Sequence, residues 1–270
     1  MENRPLAVVL GIAVVCMFAG AAAHANVVAY YDFDADNAID LSPNLNNGTV
    51  GSSIVFSTDT PTGTGKSVWS SGVNTTADAI LVPTSPSLQS IDDALTVAFW
   101  AKAATDTQTW GRILHQSSST EGWRVNRYSN ETNFNLRVDT LPNDGVTGQY
   151  NQNIAHVNSG EIDGEWHHLV YTADNGAWAK YLDGAPVASG TYKHGDGLAS
   201  TSALTICGRY GKSEYKGFID DLAIYNTALS PNLVAMLHAG SPALNIPEPA
   251  TLSLLAFGGL GLLARRRRKH

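Results

Sequence analysis

The sequence predicts an all-β protein: a two-sheet antiparallel jelly-roll sandwich with an apolar helix at each terminus. Three observations predict it. Between residues 27 and 245, short apolar–polar alternations recur, each closed by Gly, Pro, Asn or Asp. Only 230–239 keeps a helical period. About a dozen strands without long helices must bury their faces in two stacked sheets. The roughly 220 residues involved exceed an immunoglobulin-type sandwich of about 100 residues and suit a jelly roll.

The elements follow in order. Val27-Val28-Ala29-Tyr30-Tyr31 is the first strand. In 95–101 the period of two puts Leu95, Val97 and Phe99 on one face and Trp100 on the other. Residues 166–172 form another strand. The segments 177–182 and 186–189 flank Asp183-Gly184, a pair that tolerates positive φ and so favours a tight hairpin. Asp174-Asn175-Gly176 makes the preceding turn. Residues 204–207 and 217–225 are the late strands. Neither a repeat nor a linker divides the middle of the chain, so 26–243 reads as one domain.

Composition narrows the class. With 43% hydrophobic and 9% aromatic residues the chain is too apolar to be disordered. Its 2 Cys are too few for a disulfide scaffold. A net charge of -7 lacks the basic face of a nucleic-acid binder.

The ends read as sorting signals. Residues 1–25 carry a positive start at Arg4, an apolar run from Leu6 to Ala19, and the small-x-small site Ala23-His24-Ala25. This is a secretory signal peptide, and Cys16 leaves with it. The remaining Cys207 reads as a buried small apolar residue. At the other end Pro247-Glu248-Pro249 precedes an apolar run, 251–264, and then Arg265-Arg266-Arg267-Arg268-Lys269. An apolar segment followed by a basic cluster is a stop-transfer pattern that leaves the body of the chain outside the membrane. Fourteen residues at about 1.5 Å each cover about 21 Å, short of the roughly 30 Å core, as suits a transient transmembrane anchor. This arrangement over 246–270 resembles the PEP-CTERM sorting signal of Gram-negative and related bacteria. The resemblance implies cutting by an exosortase-type enzyme and residence in the cell envelope or extracellular matrix. Of the 17 basic and 24 acidic residues, six and two lie in these ends, so the body holds 11 and 22 and carries about -11. Such a body suits cation binding and does not suit anionic partners.

A second resemblance lies in the strands. Five stretches come in order: Tyr30-Tyr31-Asp32-Phe33-Asp34; 94–102; Gly164-Glu165-Trp166-His167-His168; Tyr181-Leu182-Asp183-Gly184; and Gly217-Phe218-Ile219-Asp220-Asp221-Leu222. Together they resemble the LamG-like jelly-roll family of the concanavalin A-like lectin/glucanase superfamily. That fold hosts lectins, enzymes, adhesins and spacers alike.

Three sets of residues are candidate sites. Asp32 and Asp34 follow the first strand, Asp220 and Asp221 lie in the last, and a jelly roll brings those strands together. Four carboxylates supply the hard oxygens that Ca²⁺ takes, and related jelly rolls hold a structural Ca²⁺. Trp110, Trp123, Arg124 and Tyr128 lie in the loop-rich middle and are candidates for stacking and bonding a sugar. Trp100 and Trp166 read as core. Glu161, Asp163 and Glu165 have the spacing of a glycosidase carboxylate set if 161–165 is a strand. Asp163-Gly164 reads instead as a turn, which breaks the alternation. His167 and His168, adjacent on a strand, point to opposite faces and do not share a metal.

The reading is an exported, envelope-associated binding domain, without catalysis, for adhesion or for recognition of a glycan or exopolysaccharide. Its expected partners are a carbohydrate or extracellular matrix polymer, the exosortase-type enzyme and the membrane. The alternatives are a glycoside hydrolase using Glu161, Asp163 and Glu165, and a ligand-free structural surface protein.

Overall fold

Along 94–103 every second residue is apolar and fully enclosed: Leu95, Val97, Phe99, Ala101 and Ala103 are at most 1% exposed. That period of two is what a strand needs to cover a core with one face. The computed structural model describes residues 26–73, 79–118, 121–140, 150–195, 197–209 and 215–246. Both predicted terminal helices, the signal peptide and the Pro247-Glu248-Pro249 motif lie outside the described residues.

The strands are β1 (Val27–Tyr31), β2 (Thr49–Val50), β3 (Val55–Ser57), β4 (Ser67–Ser71) and β5 (Ile80–Val82). After a short helix, α1 (Pro86–Gln89), come β6 (Ala94–Ala103), β7 (Arg112–Ser117), β8 (Gly122–Arg127), β9 (Phe134–Thr140) and β10 (Tyr150–Ile154). Then follow β11 (Trp166–Asp174), β12 (Ala177–Leu182), β13 (Ala185–Thr191), β14 (Leu204–Ile206), β15 (Lys216–Tyr225) and the helix α2 (Pro231–His238). One sheet has 8 strands in the order β13-β12-β11-β6-β15-β4-β3, with β1 also paired to β15. The other has 7, ordered β10-β9-β8-β7-β14-β5-β2. All pairings are antiparallel. This is the predicted two-sheet sandwich, and its first and last strands are neighbours as a jelly roll requires.

The predicted hairpins hold for the predicted reason. Asn175 and Gly176 have φ of 43° and 90°, and Asp183 and Gly184 have 50° and 78°. Positive φ at both central residues matches the twist of the flanking strands.

The main core lies between the sheets, with Tyr31, Phe99, Trp123, Phe134 and Tyr171 among its members. A smaller apolar layer sits on the outer face of the eight-stranded sheet. There Leu233, Val234 and Leu237 of α2 pack on Ala98, Val170, Ala223 and Tyr225. Each such buried aliphatic side chain contributes roughly 1.5–3 kcal/mol.

One polar group bridges the sheets. Lys180 of β12 is fully buried, and its Nζ donates to Glu161 Oε1 at 2.7 Å, Ser159 Oγ at 2.7 Å and the Phe134 carbonyl of β9 at 3.0 Å. Glu161 also accepts the Phe134 N–H at 2.7 Å and the Ser159 hydroxyl at 2.6 Å. A buried charge is tolerated only when paired and hydrogen-bonded in this way. Cys207, as expected, is a buried thiol.

Candidate functional site

The outer face of the seven-stranded sheet carries a basic cleft. Val125, Leu136 and Val138 point into the core, so their neighbours Arg124, Asn126 and Arg137 point out. Cross-strand pairing sets Arg124 opposite Arg137 and next to His115, and sets Asn126 opposite Arg112. Trp110, Arg112, Arg124, Asn126 and Arg137 line a cleft of about 210 Å³. Trp110 is 40% exposed and forms its edge. Its indole meets Tyr128 edge-on at 5.0 Å, and Tyr128 in turn contacts His156. Trp110 has a φ of 63°, which is strained for a side chain of this size.

The electrostatics of the cleft are those of crowded cations. Arg124 Nη1 and Arg137 Nε both bond to Asp139, at 2.5 and 3.1 Å. Burial, together with Arg209, Arg124 and Arg137, lowers the Arg112 guanidinium to about 10. Burial, with Arg112, Arg124 and Arg209, holds His115 down to about 3, so it is neutral. Arg112 Nε and Asn126 Oδ1 are buried without a hydrogen-bond partner among the described residues.

The acidic candidates meet at a break in β15. This strand pairs with β4 over 216–219 and with β1 over 222–225, on the same side. Asp220 and Asp221 fall in the gap, at a bulge against β6, and Asp221 has a φ of 47°. The turn after β1 delivers Asp32 and Asp34 there, where Asp34 accepts the Lys66 N–H at 2.7 Å. Burial first, then Asp221, Asp34 and Asp32, raises the Asp220 carboxyl to about 8. Asp221 is raised by burial and by Asp32 and Asp34, against the hydrogen bond from the Tyr30 hydroxyl at 2.7 Å. Among the described residues no three His, Cys, Asp or Glu side chains are already gathered as a metal site.

Other expectations are corrected. Trp123 is 0% exposed and belongs to the core, because its odd position in β8 faces inward with Val125. Trp100 and Trp166 are only half-buried and lie on the outer face of the eight-stranded sheet instead of in the core between the sheets. Trp100 stacks on His238 and lies 5.1 Å from His168, beside a second cleft under α2. The glycosidase set is dispersed. Residues 161–165 are not a strand, Glu161 is held by Lys180, and Asp163 caps a turn by accepting the Glu165 N–H. His167 and His168 do face opposite ways: His167 bonds Asp183 and Asp163, while burial lowers His168 to about 4.

Arg112, Asn126, Arg137 and Arg209 were not singled out from the sequence. The signal is there, since Arg124/Asn126 and Arg137/Asp139 alternate with apolar residues, but it appears only once strand register is known.

The fold defines a class, the concanavalin A-like jelly-roll sandwiches. The chain belongs to the concanavalin A-like lectin/glucanases superfamily, whose family profile matches residues 74–235. A PEP-CTERM protein-sorting motif matches residues 245–269, a signal of export and membrane processing. No curated protein matches the chain. Among solved structures, the binding domain of Paraclostridial Mosquitocidal Protein 1 superposes with a TM-score of 0.59 at 18% identity, covering 79% of this chain and 52% of that one. Domain 4 of AbnA, a GH43 extracellular arabinanase from Geobacillus stearothermophilus in complex with arabinotriose, gives 0.57 at 21%, covering 80% and 99%. The binding domain of Botulinum Neurotoxin DC in complex with SialylT gives 0.56 at 13%, covering 79% and 51%. The chain therefore spans about half the length of the toxin binding domains it matches.

Proposed function

We propose that this protein is an exported, envelope-associated binding domain that recognises a glycan at the Trp110 cleft without catalysing a reaction on it. The observation that carries the reading is the cleft itself: an exposed indole beside outward-pointing guanidinium and amide groups. A sugar ring presents an apolar face for stacking and hydroxyls for polar partners, which is the pairing a small binding site uses. The structural relatives include domains seen with arabinotriose and with SialylT. Against catalysis stands Glu161, whose carboxylate is committed to Lys180, Ser159 and the Phe134 N–H. The partners of this reading are an extracellular carbohydrate or matrix polymer and the exosortase-type enzyme that processes the PEP-CTERM segment. A glycan array probed with the wild-type chain and with Trp110→Ala tests it: binding by the first and loss in the second is expected. Equal signals, or none in either, would remove the reading.

Asp32, Asp34, Asp220 and Asp221 are proposed to hold a structural Ca²⁺. The support is their convergence at the gap between β1 and β4, and a donor set of hard oxygens. One oxygen of each carboxylate already accepts a hydrogen bond, from the Tyr30 hydroxyl or from the N–H of Asp34, Lys66 or Asp221, so backbone carbonyls or water would complete the shell.

A further inference from the structure

We propose that the ligand of the Trp110 cleft is an acidic glycan, and that Arg112 and Arg137 receive the carboxylate of one of its uronic acid residues. The inference rests on the glycan-binding reading and adds the ligand's charge. It begins with a conflict. The body of the chain carries about twice as many acids as bases, which disfavours anionic partners at long range. Yet Arg112, Arg124 and Arg137 lie side by side on the outer face of the seven-stranded sheet, and burial followed by Arg209, Arg124 and Arg137 lowers the proton affinity of Arg112. Charges of one sign are not gathered and half-buried without cost, so something negative is expected to meet them.

The protein supplies part of that. Asp139, 1% exposed, takes Arg124 and Arg137 and fixes both guanidinium planes. It cannot serve the whole group. Among the described residues no carboxylate pairs with Arg112 or Arg209, and Arg112 Nε is buried with no acceptor. A donor buried without a partner is costly until one arrives. The planar fork of Arg matches a carboxylate in particular. The remaining orphan, Asn126 Oδ1, is an acceptor and suits a sugar hydroxyl rather than an anion. Trp110 at the edge offers the ring face. A cation pair, one acceptor and one exposed indole describe a charged sugar better than a bare ion or a peptide. Because the surrounding body is acidic, the contact acts only at short range, within the roughly 8 Å over which charges are felt at physiological salt.

The test is calorimetric titration of the full chain with oligogalacturonate, with its methyl ester, and with single-stranded DNA of similar length. The acid form is expected to bind at least tenfold more tightly than the ester, and more weakly as salt rises. Arg112→Gln should cost at least tenfold in affinity for the acid with an unchanged melting temperature. Arg137→Gln should act in the same direction if Arg112→Gln disturbs folding. Equal affinity for acid and ester, or indifference to both variants, overturns the proposal. Equal binding of DNA marks an unselective polyanion surface and also overturns it. Neutral glycan binding that depends on Trp110 but not on Arg112 would overturn this inference alone and leave the glycan-binding reading intact. Silence toward every glycan would overturn that reading itself.

Discussion

Replacing Lys180 by Met should destabilise the protein by about 3–5 kcal/mol, the usual cost of stripping one partner from a buried ion pair. Methionine fills a similar volume, so the loss is electrostatic rather than a cavity. Glu161 would remain in a site where it is 1% exposed, keeping only the Phe134 N–H and the Ser159 hydroxyl. The Phe134 carbonyl would lose one of its two side-chain donors and keep the Tyr171 hydroxyl at 3.1 Å. For a domain of this size each kcal/mol moves the melting temperature by about 2–4 °C, so the drop is roughly 6–20 °C. Urea unfolding measures it directly. The double variant K180M/E161Q should recover part of the loss, because the stranded charge is then gone. If Lys180→Met costs under about 1 kcal/mol, Glu161 is not held as described. The carboxylate would then be available for chemistry, and the argument against a hydrolase would fail.

Two further outcomes are expected. His168 is buried against Trp100 and His238 with Asp183 nearby, and its pKa is lowered from 6.5 to about 4. A depressed base gives stability that is complete above pH 6.5 and lost as pH falls toward 4, by about 1.4 kcal/mol per unit. Asp220, raised to about 8, has the opposite slope across that window, so the wild-type curve alone is partly cancelled. The stability difference between wild type and His168→Gln isolates the histidine. It should shrink from pH 6.5 to 4, and a constant difference would refute the assignment. Ca²⁺ at about 100 times its dissociation constant should stabilise the chain by about 2.7 kcal/mol and raise the melting temperature by roughly 5–11 °C. Identical melting curves with Ca²⁺ and with chelator would remove the Asp32/Asp34/Asp220/Asp221 site.

Much of the sandwich was legible because it rests on local chemistry. The alternation in 94–103, the Asn175-Gly176 and Asp183-Gly184 turns, and the helix after Ser230 each follow from a few adjacent residues. The pairing of the first strand with the last was also readable, because those strands adjoin in a jelly roll. What could not be read was which way a given aromatic points. Trp110 and Trp123 look alike in sequence, yet one sits in a turn at the rim and the other faces the core. The basic cleft was hidden for a related reason. Arg112, Arg124 and Arg137 lie on three strands, and only the register of β7, β8 and β9 places them side by side. Net charge did not reveal the cleft, because it sums over a surface that the arginines do not share evenly.

The central claim, recognition of a glycan without turnover, is tested most directly by equilibrium dialysis against the best array ligand, followed by chromatography of the recovered sugar. The account predicts saturable binding that Trp110→Ala abolishes, with the ligand returned at its original length. Shortened products, or binding indifferent to Trp110, would contradict it.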